Sequence, residues 1–255
     1  MPGAERQGKA PLGWVIVIHG GGWQSVGPSV VATENNTVTF FTRLGWAVDN
    51  IDYRKGERSL PDVLGTYDAL RQQVGRRTPI CLVGHSAGGN LALLTAARRQ
   101  SVACAISGAG PTDLVHLLHQ RAYTPMPPQT AAYTPAWAYQ HFVITSFGVD
   151  KTVLRKWSPA RHARTIHAKL LLGASTFDEL VPQQQMRQMR SAMNASHADG
   201  TIKTVLLAGA DTPTGQFANF THASITRKAL HRWHRDERHL LTRMSRANGP
   251  LGGSL

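Results

Sequence analysis

The chain has 255 residues, 42% hydrophobic and 17% charged, with 24 Gly and 14 Pro spread along it, which fits one large globular domain over 1–255 and excludes collagen-like or disordered composition. No run of about 18 apolar residues occurs and the opening MPGAERQGKAPL lacks the apolar centre of a signal peptide, so no membrane partner and a cytoplasmic location are expected. The 28 Lys and Arg against 15 Asp and Glu leave a net charge of +13, a field that attracts polyanions; its plainer reading is a solubilising surface, and nucleic acid is not expected as a partner.

Apolar runs of strand length alternate with helix-like stretches, the pattern of a parallel sheet covered on both faces. The expected strands are Trp14 to Ile18, Trp46 to Ile51, Ile80 to Val83, Ala103 to Ser107, Leu170 to Leu172 and Val205 to Ala208. Helices are expected around Val38 to Leu44, Pro61 to Val74, Asn90 to Arg99, Pro182 to Met193 and Ser224 to His239. The segment from about 114 to 155 breaks the rhythm with Pro125, Pro127, Pro128 and Pro135 among aromatic residues, and a long insertion of this kind lines or covers a site. From about 227 to 255 the chain reads as a basic terminal helix and tail. Cys81 and Cys104 each lie inside an apolar strand and are expected as free core thiols, because no metal-ligand spacing occurs.

The sharpest motif is Gly84-His85-Ser86-Ala87-Gly88-Gly89, between an apolar strand and the helix-like NLALLTAARR. Small residues at Gly84 and Gly88 suit a tight strand-to-helix turn that pushes Ser86 Oγ out at a helix N-terminus, where an oxyanion is favoured. An ordinary glycine-rich turn is the plainer alternative; a phosphate loop is not, since the Gly-Lys-Ser/Thr ending is missing. The second motif, His19-Gly20-Gly21-Gly22-Trp23, follows the strand WVIVI and leaves backbone N–H groups free to approach a ligand.

On these two motifs the sequence resembles the α/β-hydrolase family, in its small esterase branch with HGGGW and GxSxGG, which includes feruloyl-esterase-like, acetyl-esterase-like and kynurenine-formamidase-like enzymes. The resemblance runs from about Trp14 to Leu230. It implies a mostly parallel sheet of about six strands, a serine nucleophile at Ser86, and oxyanion donors at the N–H of Ala87 and Gly21, joined by Gly20 or Gly22. Asp52-Tyr53-Arg54 resembles the family's DYR element, a structural feature. The family's chain order is serine, acid, histidine. Asp178, in a stretch resembling DxxVP, is the expected acid, with Asp199, Asp211 and Glu179 as fallbacks, and His222 the expected base. His19 and His85 are expected to make structural hydrogen bonds.

Two departures stand out. The insertion Asp211 to Asn219 lengthens the approach to His222, and the chain reaches HGGGW too early for the antiparallel strand pair that opens the family's sheet, which leaves an edge suited to homo-oligomer formation. The implied reaction is carboxylester hydrolysis of short acyl or small aryl esters through an acyl-enzyme, with neither metal nor organic cofactor. Trp23, Tyr133, Trp137 and Tyr139 are candidates to line the substrate pocket, with core packing the alternative for each. An arylformamidase acting on a small amide needs the same triad, and an idle hydrolase fold serving as a binding protein is the reading from another class.

Overall fold

The computed structural model describes residues 10–119, 135–175, 178, 180–196 and 199–207. Among these residues six strands form one parallel sheet: β1 (Trp14–Ile18), β2 (Ala47–Ile51), β3 (Ile80–His85), β4 (Cys104–Gly108), β5 (Lys169–Ser175) and β6 (Ile202–Leu207). Their order is β2-β1-β3-β4-β5-β6, so β2 forms one margin and the ends of β1, β3, β4 and β5 stand side by side.

Along each central strand alternate residues enter different cores, as a two-faced parallel sheet requires. Ile16, Ile18, Ile80, Leu82, Ala105, Leu170 and Leu172 face one core, shared with α3 (Ser59–Val74), α4 (Ala87–Arg98) and α8 (Gln183–Ser196). Val15, Val17, Cys81, Val83, Cys104, Ile106 and Leu171 face the other, where Phe41 of α2 (Asn35–Arg43) packs beside Trp46. Nearly every residue of α4 is buried, the expected state of a helix apolar all round. Its one amide side chain, Asn90, donates through Nδ2 to the carbonyls of Pro111 (2.9 Å) and Trp157 (3.0 Å), which fastens two distant loops to this helix.

The expectation of free thiols is corrected: Cys81 and Cys104 form a disulfide. They are direct partners in the register of β3 and β4, with Cα atoms 4.6 Å apart, inside the range a disulfide spans. Strand adjacency, which spacing in sequence does not reveal, creates the pair.

Among the described residues, the irregular insertion contains three α-helices: α5 (Leu114–His119), α6 (Pro135–Phe147) and α7 (Lys151–Lys156). The Asp150 carboxylate caps α7 by accepting the Thr152 N–H at 2.6 Å. Pro135 opens α6, where its missing N–H leaves no helix bond unmade. The short α1 (Pro28–Val31) completes the described α-helices. No described helix is long and apolar enough to cross a membrane.

Candidate active site

Ser86 sits between β3 and α4 with φ 55° and ψ −121°, backbone space that a non-glycine residue occupies only when its surroundings hold it there. Its N–H donates to the Gly108 carbonyl (2.8 Å), which continues the sheet ladder one residue past β3; the Ala109 N–H does the same to Gly173 (2.8 Å) past β4. The turn demands glycine by close approach. A Cβ on Gly84 would overlap the Gly88 carbonyl group, and one on Gly88 would overlap the carbonyls of Ile18 and His19. Gly20 lies beside the serine, since a Cβ there would stand 3.3 Å from Ser86 Cβ. The two glycine motifs, 65 positions apart, therefore meet at one point.

The loop after β1 is pinned by its carbonyls. His19 Nδ1 donates to Gly20 O (2.7 Å), and the Tyr53 hydroxyl is shared between the carbonyls of His19 (3.0 Å) and Gly20 (3.1 Å). In a trans peptide C=O and N–H point oppositely, so fixing the Gly20 carbonyl fixes the direction of the Gly21 N–H. The Gly21 carbonyl accepts from Gln24 N (3.1 Å) and Ser25 N (3.0 Å), which fixes the Gly22 N–H in the same way. The N–H of Ala87, first residue of α4, belongs to the helix end whose donors have no intrahelical partner.

His19 is fully buried, stacks on Tyr53 with ring centroids 4.2 Å apart, and reaches the Asp52 carboxylate through Nε2 at 2.9 Å. Burial works against ionisation of Asp52, but hydrogen bonds from His19 and from the N–H groups of Tyr53 and Gly27 outweigh it and hold the carboxyl below its ordinary range. Burial, then the nearby Asp52 and Glu34, push the Tyr53 phenol far up, so it remains a donor. The DYR element thus carries the glycine loop, while Arg54 pairs with Asp62 at 2.7 Å.

Asp178 follows β5, is buried, and accepts the N–H groups of Leu180 (3.0 Å) and Val181 (2.9 Å) on one carboxylate oxygen. Three residues into α8, Gln185 Oε1 accepts the N–H groups of Thr112 and Asp113, both at 2.8 Å, so the acid loop is tied to the loop after β4. Asp199 has a side chain 91% exposed and faces His167 at 3.6 Å, a surface position. His222, Asp211, Glu179, Tyr133 and the basic stretch from Arg227 to Arg246 lie outside the described residues. Trp137 and Tyr139 lie in the first turns of α6. Trp23 is fully buried with its ring edge-on to Phe147 at 4.9 Å, so core packing accounts for it. Among the described residues no three His, Cys, Asp or Glu side chains gather as a metal site.

Sequence reading did not single out Asn90, Gln185 or Ser146, whose roles depend on partners far along the chain. An asparagine in an otherwise apolar helix was the one available signal.

With serine elbow, glycine loop and buried acid beyond the carboxyl ends of interior strands in a doubly covered parallel sheet, this is the α/β-hydrolase fold. The family model described as BD-FAE matches residues 4–193, and the chain belongs to that family. Among curated proteins none matches the sequence. Similar solved structures include esterase B from Lactobacillus rhamnosis, 17% identical with a TM-score of 0.68 over 95% of this chain and 80% of that one. A fungal esterase from Rhizomucor miehei is 15% identical with a TM-score of 0.65 over 96% of this chain and 76% of that one. An esterase of Pyrococcus furiosus is 15% identical with a TM-score of 0.63 over 91% of this chain and 82% of that one.

Proposed function

We propose that the chain is a serine hydrolase of the carboxylesterase type, with Ser86 as nucleophile, His222 as base and Asp178 as the group that orients it. The observation that carries this reading is the strained Ser86 turn, held at a helix N-terminus directly beside the HGGGW loop. Ser86 Oγ attacks a carbonyl carbon as its proton passes to His222. The N–H groups of Gly21 and Ala87, joined by Gly20 or Gly22, hold the oxyanion; collapse expels the alcohol, which takes the proton from His222. Water then attacks the acyl-enzyme by the same route and releases the acid. The esterase names of the similar structures support an ester substrate.

The insertion carrying α5, α6 and α7 acts as the lid, and we assign it to short acyl groups or compact aryl acids, with Trp137, Tyr139 and Tyr133 as candidate walls. The disulfide weighs against the expected cytoplasmic setting, because such bonds persist mainly in oxidising compartments. A fluorophosphonate probe should label wild type at Ser86, and kcat/KM on p-nitrophenyl esters from acetate to decanoate should peak at two to about four carbons, each further methylene being worth at most about 0.8 kcal/mol. N-formylkynurenine turned over faster than every ester would replace the esterase with an arylformamidase; no labelling would indicate an idle fold.

A further inference from the structure

The glycine loop is not self-supporting. Gly21, Gly22 and Trp23 have φ of 104°, 62° and 60°, three successive residues in the left-handed half of backbone space, and the third is a tryptophan. Such a run keeps its shape only where other parts of the molecule hold it. The hydrogen bonds on Gly20 and Gly21 secure the beginning of the run; its end is secured from α6.

Ser146, buried in the last turn of α6, donates through Oγ to the Gly22 carbonyl at 3.2 Å. Gln24 Nε2 donates to the same Oγ at 2.8 Å, which occupies the oxygen as acceptor and leaves the hydroxyl hydrogen for Gly22. One turn earlier on the same helix face, Phe142 lies over Gly22 so closely that a Cβ there would stand 2.5 Å from its Cγ. Phe147, which follows Ser146, packs on the Trp23 ring, and the Trp23 carbonyl accepts the Gly56 N–H at 2.8 Å. Gly56 in turn backs onto the Ser146 carbonyl, where a Cβ would stand 3.2 Å away. Each of these contacts on Gly22 and Trp23 belongs to α6 or rests against it.

We propose that Ser146 is a positioning residue for the oxyanion hole, and that α6, a helix of the insertion, sets the direction of the loop's N–H donors. This rests on the serine hydrolase reading. The Gly22 carbonyl fixes the Trp23 peptide plane and, through Gly22 ψ, the peptide before it; a free carbonyl lets the run relax and turns the donors away from the tetrahedral oxygen. The effect falls on the transition state and leaves substrate binding alone.

The test compares wild type, Ser146→Ala, Ser146→Thr and Gln24→Met on p-nitrophenyl acetate, together with inhibition by a small boronic acid, whose boron takes Ser86 Oγ as a fourth ligand and mimics the tetrahedral state. Losing an oxyanion donor outright lowers kcat by about 10²–10³-fold, so misdirected donors in Ser146→Ala should lower it about tenfold or more, with KM nearly unchanged and boronate affinity reduced in proportion. Ser146→Thr, which keeps the hydroxyl, should recover most of the loss. A kcat and boronate affinity in Ser146→Ala like those of wild type overturn the proposal, as does a loss confined to KM or melting temperature. Should Ser146→Ala fail to fold, Gln24→Met decides: unchanged kcat and boronate affinity overturn the proposal, and a parallel fall in both supports it. An inactive, unlabelled wild type overturns the hydrolase reading, and this proposal with it.

Discussion

The Asp52 carboxylate receives the Nε2 hydrogen of His19 at 2.9 Å, while the other ring nitrogen of His19 holds the Gly20 carbonyl at 2.7 Å. A charge at the end of β2 is thereby linked in two hydrogen bonds to the loop beside Ser86. Asp52→Ala should lower kcat on a small ester by about tenfold, short of the ~10²–10³-fold of a deleted donor, with KM little changed. Because the folded carboxyl titrates below its ordinary range, this support is complete above the usual aspartate pKa and is lost as pH falls through the depressed value. A variant with wild-type kcat would remove Asp52 from the chain of positioning contacts.

Ser86→Ala should abolish fluorophosphonate labelling and lower kcat by about 10⁴-fold or more, leaving the slight rate due to the hole and binding. The fold should survive, since the hydroxyl lies at the turn and contributes little packing; circular dichroism checks this. Residual activity of more than a few per cent, after purification from contaminants, would falsify Ser86 as nucleophile.

Activity should rise with pH through an apparent pKa near 7, because a histidine base accepts the serine proton only when neutral. A rate profile of kcat/KM from about pH 5 to 9 measures it, and a flat line would remove His222 as base.

Glu34 is buried beside His19, and burial raises its carboxyl above 4.5 despite the opposing Thr37 hydrogen bond and the attraction of His19. A carboxyl raised in the folded state favours folding when protonated, and that advantage fades as pH rises through the folded value. Glu34→Gln keeps an oxygen for Thr37 and removes the buried charge. It should raise the melting temperature by a few degrees at neutral pH and change it little at pH 4; equal shifts at both would show that desolvation is not the cause.

Alkylation of denatured, unreduced protein should leave both cysteines unlabelled. The bond closes a loop with a sequence separation of 23, for which chain entropy gives about 3 kcal/mol of stability, so Cys104→Ala should lower the denaturant midpoint correspondingly.

The sheet was legible because WVIVI, ICLVG and CAISG are buried on both sides and so read as unbroken apolar runs. Ser86 and the glycine loop were legible because backbone geometry dictates their residue types. Helix α6 was not: PAWAYQHFVITSF has no polar face to set a period, and its neighbouring prolines read as an irregular insertion. Ser146, Gln185 and the cysteine pair stayed hidden for another reason. Their partners lie 124, 73 and 23 positions away, and only the fold brings them together.

Asp49 lies in the middle of β2, the marginal strand of the described sheet, in register with Ile16. A half-buried charge there discourages a second chain from adding a strand, and burial raises its carboxyl above 3.8. The deterrent therefore carries its own acid limit, since Asp49 takes up a proton at a higher pH than surface aspartates and the margin loses its repulsion first. At this margin of the described sheet, the barrier to adding a further strand is thus set by pH.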